Sequence, residues 1–264
     1  MSASAFSQND FSCRSDAHPN PVVLLHGLGA HWYDYMLGFY AYLKYYGYCT
    51  FAIDYGAYPG LLPNGGLKPI NESAVEIAAF IREVQSKTGA SKVDLVGHSE
   101  GVFQALYVPK FEGVAPLVDK VVAISPPTRG IKPTGLYKLA TGHCNLTGAI
   151  GDTNRDPFCS KAWNDLATNG TAVRRLNDGQ PIAQPGNQVT VLVSRDDQII
   201  VPSETAFVRE PGVWNVYIQD FCEIDPARHA APSYDLNAWN IVRNALDSQH
   251  DRPFPCVVGL PLRA

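Results

Sequence analysis

The chain has little charge and no block of it. Asp, Glu, Lys and Arg make up 17% of its 264 residues, the formal net charge is -4, and no basic run occurs. A protein that neutralises phosphates needs clustered Lys and Arg, so nucleic-acid binding is excluded as a function class. No stretch reaches the ~18 consecutive apolar residues of a membrane helix, so no transmembrane segment is expected. Residues 1–20 have neither a basic n-region nor an apolar h-region. If the protein is secreted, its signal peptide is absent from this chain. No C-x-x-C occurs and no histidines stand at zinc spacing from the cysteines, so no metal site is expected. Internal repeats and low-complexity segments are absent.

What is present suits one folded domain over residues 1–264. Hydrophobic residues make up 45% of the chain and aromatics 11%, and the 22 Gly and 20 Pro imply many turns rather than disorder. The six cysteines are an even count, and three N-x-S/T sequons occur, at Asn71, Asn145 and Asn169. Together they point to an oxidising, extracellular setting, with those asparagines as glycosylation candidates. Six cysteines allow fifteen pairings. Order along the chain suggests Cys13–Cys49, Cys144–Cys159 and Cys222–Cys256.

Apolar runs alternate with helical spacing along most of the chain. Strands are expected at 21–25, 49–53, 92–96, 120–125, 189–193 and 215–219. Helices are expected at 35–46, 72–85 with Asn71 or Ser73 as N-cap, behind residue 99, and at 238–246. This alternation implies an α/β fold, a mostly parallel sheet covered on both faces. Residues 126–187 interrupt it. Rich in Pro, Gly and Asn, they read as an inserted cap or lid with short helices at 134–141 and 160–168.

Gly97-His98-Ser99-Glu100-Gly101 follows the strand Lys92–Val96 directly. Glycines on either side permit a sharp strand-to-helix turn with Ser99 at its apex and a helix N-terminus beneath it. A serine hydroxyl becomes a nucleophile only when a base takes its proton and a third group fixes the base's tautomer. For acids, Asp196 and Asp197 both follow strand 189–193, and spacing alone does not separate them. For the base, His229 follows the last strand and precedes the closing helix, in the order serine, acid, histidine. The N–H groups of Leu28, in the turn after the first strand, and of Glu100 would form the oxyanion hole.

These elements resemble α/β-hydrolases of the class 2 lipase family, the group of fungal lipase B and its actinobacterial secreted relatives. The resemblance is carried by Val23–Gly29, Lys92–Gly101, Ser194–Ile199 and Asn215–Cys222 with the His229 loop. It implies an α/β-hydrolase fold and favours Asp197 over Asp196, because Pro202 follows at the family's distance. It also supports the pairings Cys13–Cys49 and Cys222–Cys256, and implies that Ile199 lines the substrate pocket. The chain departs from lipase B at His98 and Glu100, where that protein has a bulky aromatic and a glutamine. His98 and Trp163 join Ile199 as pocket residues. Trp163, with Leu136, Tyr137 and Leu139, would either cover an apolar pocket that opens at a lipid surface or form a small packed subdomain.

The function implied is that of a secreted serine carboxylic-ester hydrolase, a lipase or esterase. It would work through Ser99, Asp197 and His229 without cofactor, as a monomer. Its partner would be a small-molecule or lipid ester, with transient contact to a lipid–water interface. Acyl transfer to an alcohol or polyester and lactone hydrolysis would use the same residues. A non-catalytic binding module with this fold is the reading from a different class.

Overall fold

A computed structural model describes residues 8–59, 65–132 and 159–259. Among these residues six strands form one all-parallel sheet: β1 (Val22–Leu25), β2 (Thr50–Ile53), β3 (Val93–His98), β4 (Val118–Ile124), β5 (Gln188–Val193) and β6 (Trp214–Tyr217). Their spatial order is β2-β1-β3-β4-β5-β6. The chain therefore reverses its direction of travel across the sheet between β1 and β3. At such a switch point the carboxyl ends of neighbouring strands open a crevice, where ligands bind in open α/β sheets.

Both faces of the sheet are covered, which is why β1 is apolar at every position. Val23 and Leu25 face a core shared with α2 (Ile70–Thr88) and α3 (Glu100–Phe111). Val22 and Leu24 face the other, with α1 (Trp32–Tyr45) and α6 (Leu236–Leu246). Two short helices, α4 (Lys161–Asp165) and α5 (Thr171–Leu176), pack Trp163, Leu166, Val173 and Leu176 into the first core. The N-terminal arm lies on the outer strand. Asn9 exchanges two hydrogen bonds with the backbone of Ala52, at 2.8 and 2.9 Å, and closes that edge. Among the described residues no helix is long and apolar enough to cross a membrane.

Element boundaries differ from the periodic reading where a cap comes from elsewhere in the chain. Helix α1 begins at Trp32 rather than 35, because His31 caps Tyr33 N–H and Asp54 accepts from Trp32 N–H at 2.8 Å. Helix α2 begins at Ile70, so neither Asn71 nor Ser73 is its cap. Pro69 at the N-cap lacks a capping side chain, and Asp165 of α4 accepts the Ile70 N–H at 3.0 Å instead. The run at 215–219 leaves the sheet after Tyr217 and tightens into a 3-10 turn at Ile218–Asp220. The expected helix at 134–141 lies outside the described residues.

Helix α3 docks on β1 through Gly101. A Cβ there would stand 2.3 Å from the carbonyl oxygens of both Leu25 and His26, which no side-chain adjustment relieves. Gly101→Ala is therefore expected to destabilise the fold by about 3 kcal/mol or more, the upper end for overpacking. The urea midpoint of the purified variant checks this.

Candidate active site

The junction of β3 and α3 puts Ser99 at φ 54°, ψ −120°, a region non-glycine residues rarely occupy. Two bonds hold it there: Ser99 N–H donates to Ile124 C=O at 2.9 Å, and Ser99 C=O accepts from Phe103 N–H at 3.0 Å. Gly97 lies against the first turn of α3, where a Cβ would come within 2.7 Å of the Gly101 carbonyl carbon. The bend leaves Ser99 partly exposed between two buried neighbours.

Ser99 Oγ lies 2.9 Å from His229 Nε2, and His229 Nδ1 lies 2.8 Å from Asp197 Oδ2. Asp197 can only accept, so Nδ1 carries the proton and Nε2 offers a lone pair to the Ser99 hydroxyl. Asp197 follows β5 and is 7% exposed, whereas its neighbour Asp196 is exposed. Burial raises the Asp197 pKa. The His229 ring and the N–H groups of Ile199 and Ile200, each 2.9 Å from Oδ1, outweigh burial and hold it below the usual carboxylate value.

Behind His229 stands His98. Its Nε2–H donates to the His229 backbone carbonyl at 2.6 Å, which leaves Nδ1 to accept the Tyr35 hydroxyl at 2.7 Å. Full burial, helped by His229, pushes the His98 pKa down to about 3, so it braces as a neutral ring. His98→Phe removes this brace. It is expected to lower kcat about tenfold to a hundredfold with little change in KM, the size of effect that misplacing a catalytic group produces. Steady-state kinetics on a soluble ester tests it.

The turn after β1 closes over the serine. A Cβ at Gly27 would stand 3.6 Å from Ser99 Cβ, so this backbone runs beside Ser99. His26 Nδ1–H donates to Gly27 C=O at 2.8 Å. That carbonyl shares a peptide plane with the Leu28 N–H, so fixing one orients the other. Glu100 is the first residue of α3, and its N–H has no carbonyl one turn behind it to bond.

The alpha/beta hydrolase family profile matches residues 22–240. The chain belongs to the alpha/beta hydrolase family. Triacylglycerol lipases of Pseudarthrobacter phenanthrenivorans and Burkholderia plantarii are each 30% identical to it over 179 residues, 60% of the chain. That stretch is 53% and 47% of their own lengths, so the match spans about half of each relative. The structure of Aspergillus fumigatus lipase B superposes with a TM-score of 0.65 at 18% identity, covering 91% of this chain and 58% of that one, a likeness of fold.

The remaining site residues of this α/β-hydrolase divide. Ile199 is half-buried beside Asp197, whereas Trp163 is 4% exposed within the first core. Leu136, Tyr137 and Leu139 lie outside the described residues. Cys13–Cys49 and Cys222–Cys256 are formed. Cys159 is disulfide-bonded, and Cys144 lies outside the described residues. Asn71 and Asn169 are exposed, and Asn145 is also outside.

Three positioning residues escaped the sequence reading. Tyr35 is one. Ser194 Oγ donates to Ala227 C=O, and Gln219 Nε2 donates to Ser194 Oγ at 2.9 Å and to Asp225 C=O at 3.0 Å. The last two tie the acid loop to the histidine loop. Ser194 and Gln219 lie within stretches that carry the resemblance, but the hydrogen bonds of all three join segments far apart in the chain, which local sequence does not show.

Proposed function

We propose that this α/β-hydrolase is a serine carboxylic-ester hydrolase, a lipase or esterase, with Ser99, His229 and Asp197 as its triad. The observation that carries the reading is the hydrogen-bonded chain from Ser99 through His229 to Asp197, at 2.9 and 2.8 Å. The triacylglycerol lipase activity of the two bacterial relatives supports it. In this reading Ser99 Oγ attacks the ester carbonyl carbon as its proton passes to His229 Nε2. The resulting oxyanion is held by the N–H groups of Leu28 and Glu100. Collapse expels the alcohol, which takes the proton back from His229, and leaves the acyl group on Ser99. Water then attacks that ester by the same route, releasing the acid and restoring the serine. Asp197 keeps the imidazole in the accepting tautomer and stabilises the imidazolium formed at each step.

Secretion is part of the proposal, supported by the disulfides, which persist in oxidising compartments. So are a single domain over 1–264 and a cap over 126–187 that meets a lipid or small-molecule ester. The test is release of p-nitrophenol from p-nitrophenyl esters by the purified protein and its loss in Ser99→Ala. A wild type that is inert on both short and long acyl esters sinks the reading.

A further inference from the structure

The residue after the nucleophile carries a carboxyl that the mechanism above leaves unused. Only the backbone of Glu100 serves the oxyanion hole. Its side chain turns inward from the first turn of α3 and is fully buried. Among the described residues only the Gln104 amide approaches as a donor, and neither carboxyl oxygen has a hydrogen bond of good geometry. Oε2 presses on the Gly65–Gly66 turn: a Cβ at Gly66 would stand 2.4 Å from it and 3.3 Å from Leu28 Cα. Gly66, at φ 68°, thus separates the Glu100 carboxyl from the turn that carries the Leu28 N–H. The two turns are joined by Gly29 N–H to Gly65 C=O at 3.0 Å and Gly65 N–H to Ala30 C=O at 2.8 Å.

Every group facing this carboxyl is neutral, acidic or already engaged. Tyr55, after β2, donates its hydroxyl to His26 C=O at 2.7 Å. Gln104, one turn along α3, donates Nε2–H to Ile70 C=O at 3.0 Å, and the same neutral amide is a donor toward the Glu100 carboxyl. Asp165 of α4 is occupied by the Ile70 N–H, and Lys161 acts on Asp165. His26, under the oxyanion turn, is buried and neutral, its pKa pushed down to about 4 by desolvation. An ionised Glu100 would be a fully buried anion facing no cation, with the neutral amide of Gln104 as its donor, which is strongly disfavoured. Burial accordingly pushes its pKa well above the usual carboxylate range; Asp165 adds to the shift and Gln104 opposes it.

We propose that the Glu100 side chain is a positioning group for the oxyanion hole: uncharged, it wedges the Gly65–Gly66 turn under Leu28, and its ionisation releases that wedge. Ionisation would also put a negative charge on a residue whose own N–H belongs to the hole, against the charge the hole must stabilise. Both effects act on the transition state, so they fall on kcat and not on KM. The kinetic half of the inference rests on the ester-hydrolase reading; the protonation half does not.

The test joins infrared spectroscopy with kinetics. At a pH above the usual carboxylate range the wild type is expected to show a protonated carboxylic-acid band that Glu100→Gln lacks. On the alkaline side kcat of the wild type falls reversibly with KM steady, and in Glu100→Gln that fall is gone, because an amide does not ionise. Glu100→Ala, which lacks the wedge, loses about tenfold in kcat at every pH, a partial loss of one oxyanion donor. Absence of the acid band, an alkaline profile shared by the wild type and Glu100→Gln, or wild-type kcat in Glu100→Ala overturns the proposal. A wild type inert on esters would sink the function instead, and the infrared band would still decide the state of Glu100.

Discussion

Ser99→Ala is expected to lower kcat for ester hydrolysis by roughly 10⁴- to 10⁶-fold, the loss seen when a triad nucleophile is removed and only the oxyanion hole and binding remain. KM should change little, since the hydroxyl adds almost nothing to ground-state binding. The wild type should also gain the mass of one sulfonyl group when treated with a sulfonyl fluoride, and Ser99→Ala should gain none. A variant that keeps about 1% of the wild-type rate or more would mean that another group attacks the carbonyl. Stability separates this loss from unfolding. Ser99 is held at φ 54° by its neighbours, so alanine inherits the same strain and should melt close to the wild type. Ser99→Gly, free of the Cβ penalty, should be more stable than either by about 1 kcal/mol.

The fold was legible because its strands are buried on both faces. Four consecutive apolar residues at 22–25 make sense only if Val22 and Leu24 meet one core and Val23 and Leu25 another. The family profile over 22–240 and the likeness to a lipase B fold agree with the α/β-hydrolase expected from that pattern and from the quoted motifs. Ser99 and His229 stood out for a different reason: chain order places each in the loop after a particular strand. For the acid it left Asp196 and Asp197 open, and only the resemblance favoured Asp197, the one that lies 2.8 Å from His229 Nδ1.

What stayed hidden depends on partners remote in sequence. Asp165 caps a helix that begins 95 residues earlier in the chain, so local capping signals pointed to Asn71 and Ser73 instead. Tyr35 reaches His98 across 63 residues. A tyrosine on a helix that already buries Trp32, Met36, Phe39 and Tyr40 reads as one more core aromatic. Glu100 was visible as an oddity, since a carboxylate opposes a nearby oxyanion. Its surroundings were not legible, because full burial of the side chain against the Gly65–Gly66 turn depends on residues distant in the chain.

Asp197→Asn should be the second great loss, and its comparison with Asp197→Ala distinguishes catalysis from packing. Asparagine keeps the shape, and its oxygen can still accept the Ile199 and Ile200 N–H groups that now lie 2.9 Å from Oδ1. Its NH₂ then faces His229 Nδ1 as a donor. The imidazole moves its proton to Nε2, and the lone pair that should receive the Ser99 proton is gone. An expected fall of about 10⁴ in kcat follows, with the fold intact. Alanine removes the acceptor altogether and leaves two N–H groups without a partner, at about 1–3 kcal/mol for each one buried. It should therefore lose both activity and stability. The pH dependence has a definite sign. The Asp197 pKa is depressed in the folded protein, so its contribution to stability is present above the unfolded carboxylate value of about 3.9. That contribution is lost as pH falls through the lower folded value. Asp197→Asn should flatten that acid limb of the unfolding curve, whereas Asp196→Asn, at an exposed site, should leave kcat alone. Urea unfolding across acid pH and kcat at neutral pH for the three variants decide the matter. A larger loss of activity from Asp196→Asn than from Asp197→Asn would transfer the acid's role to Asp196.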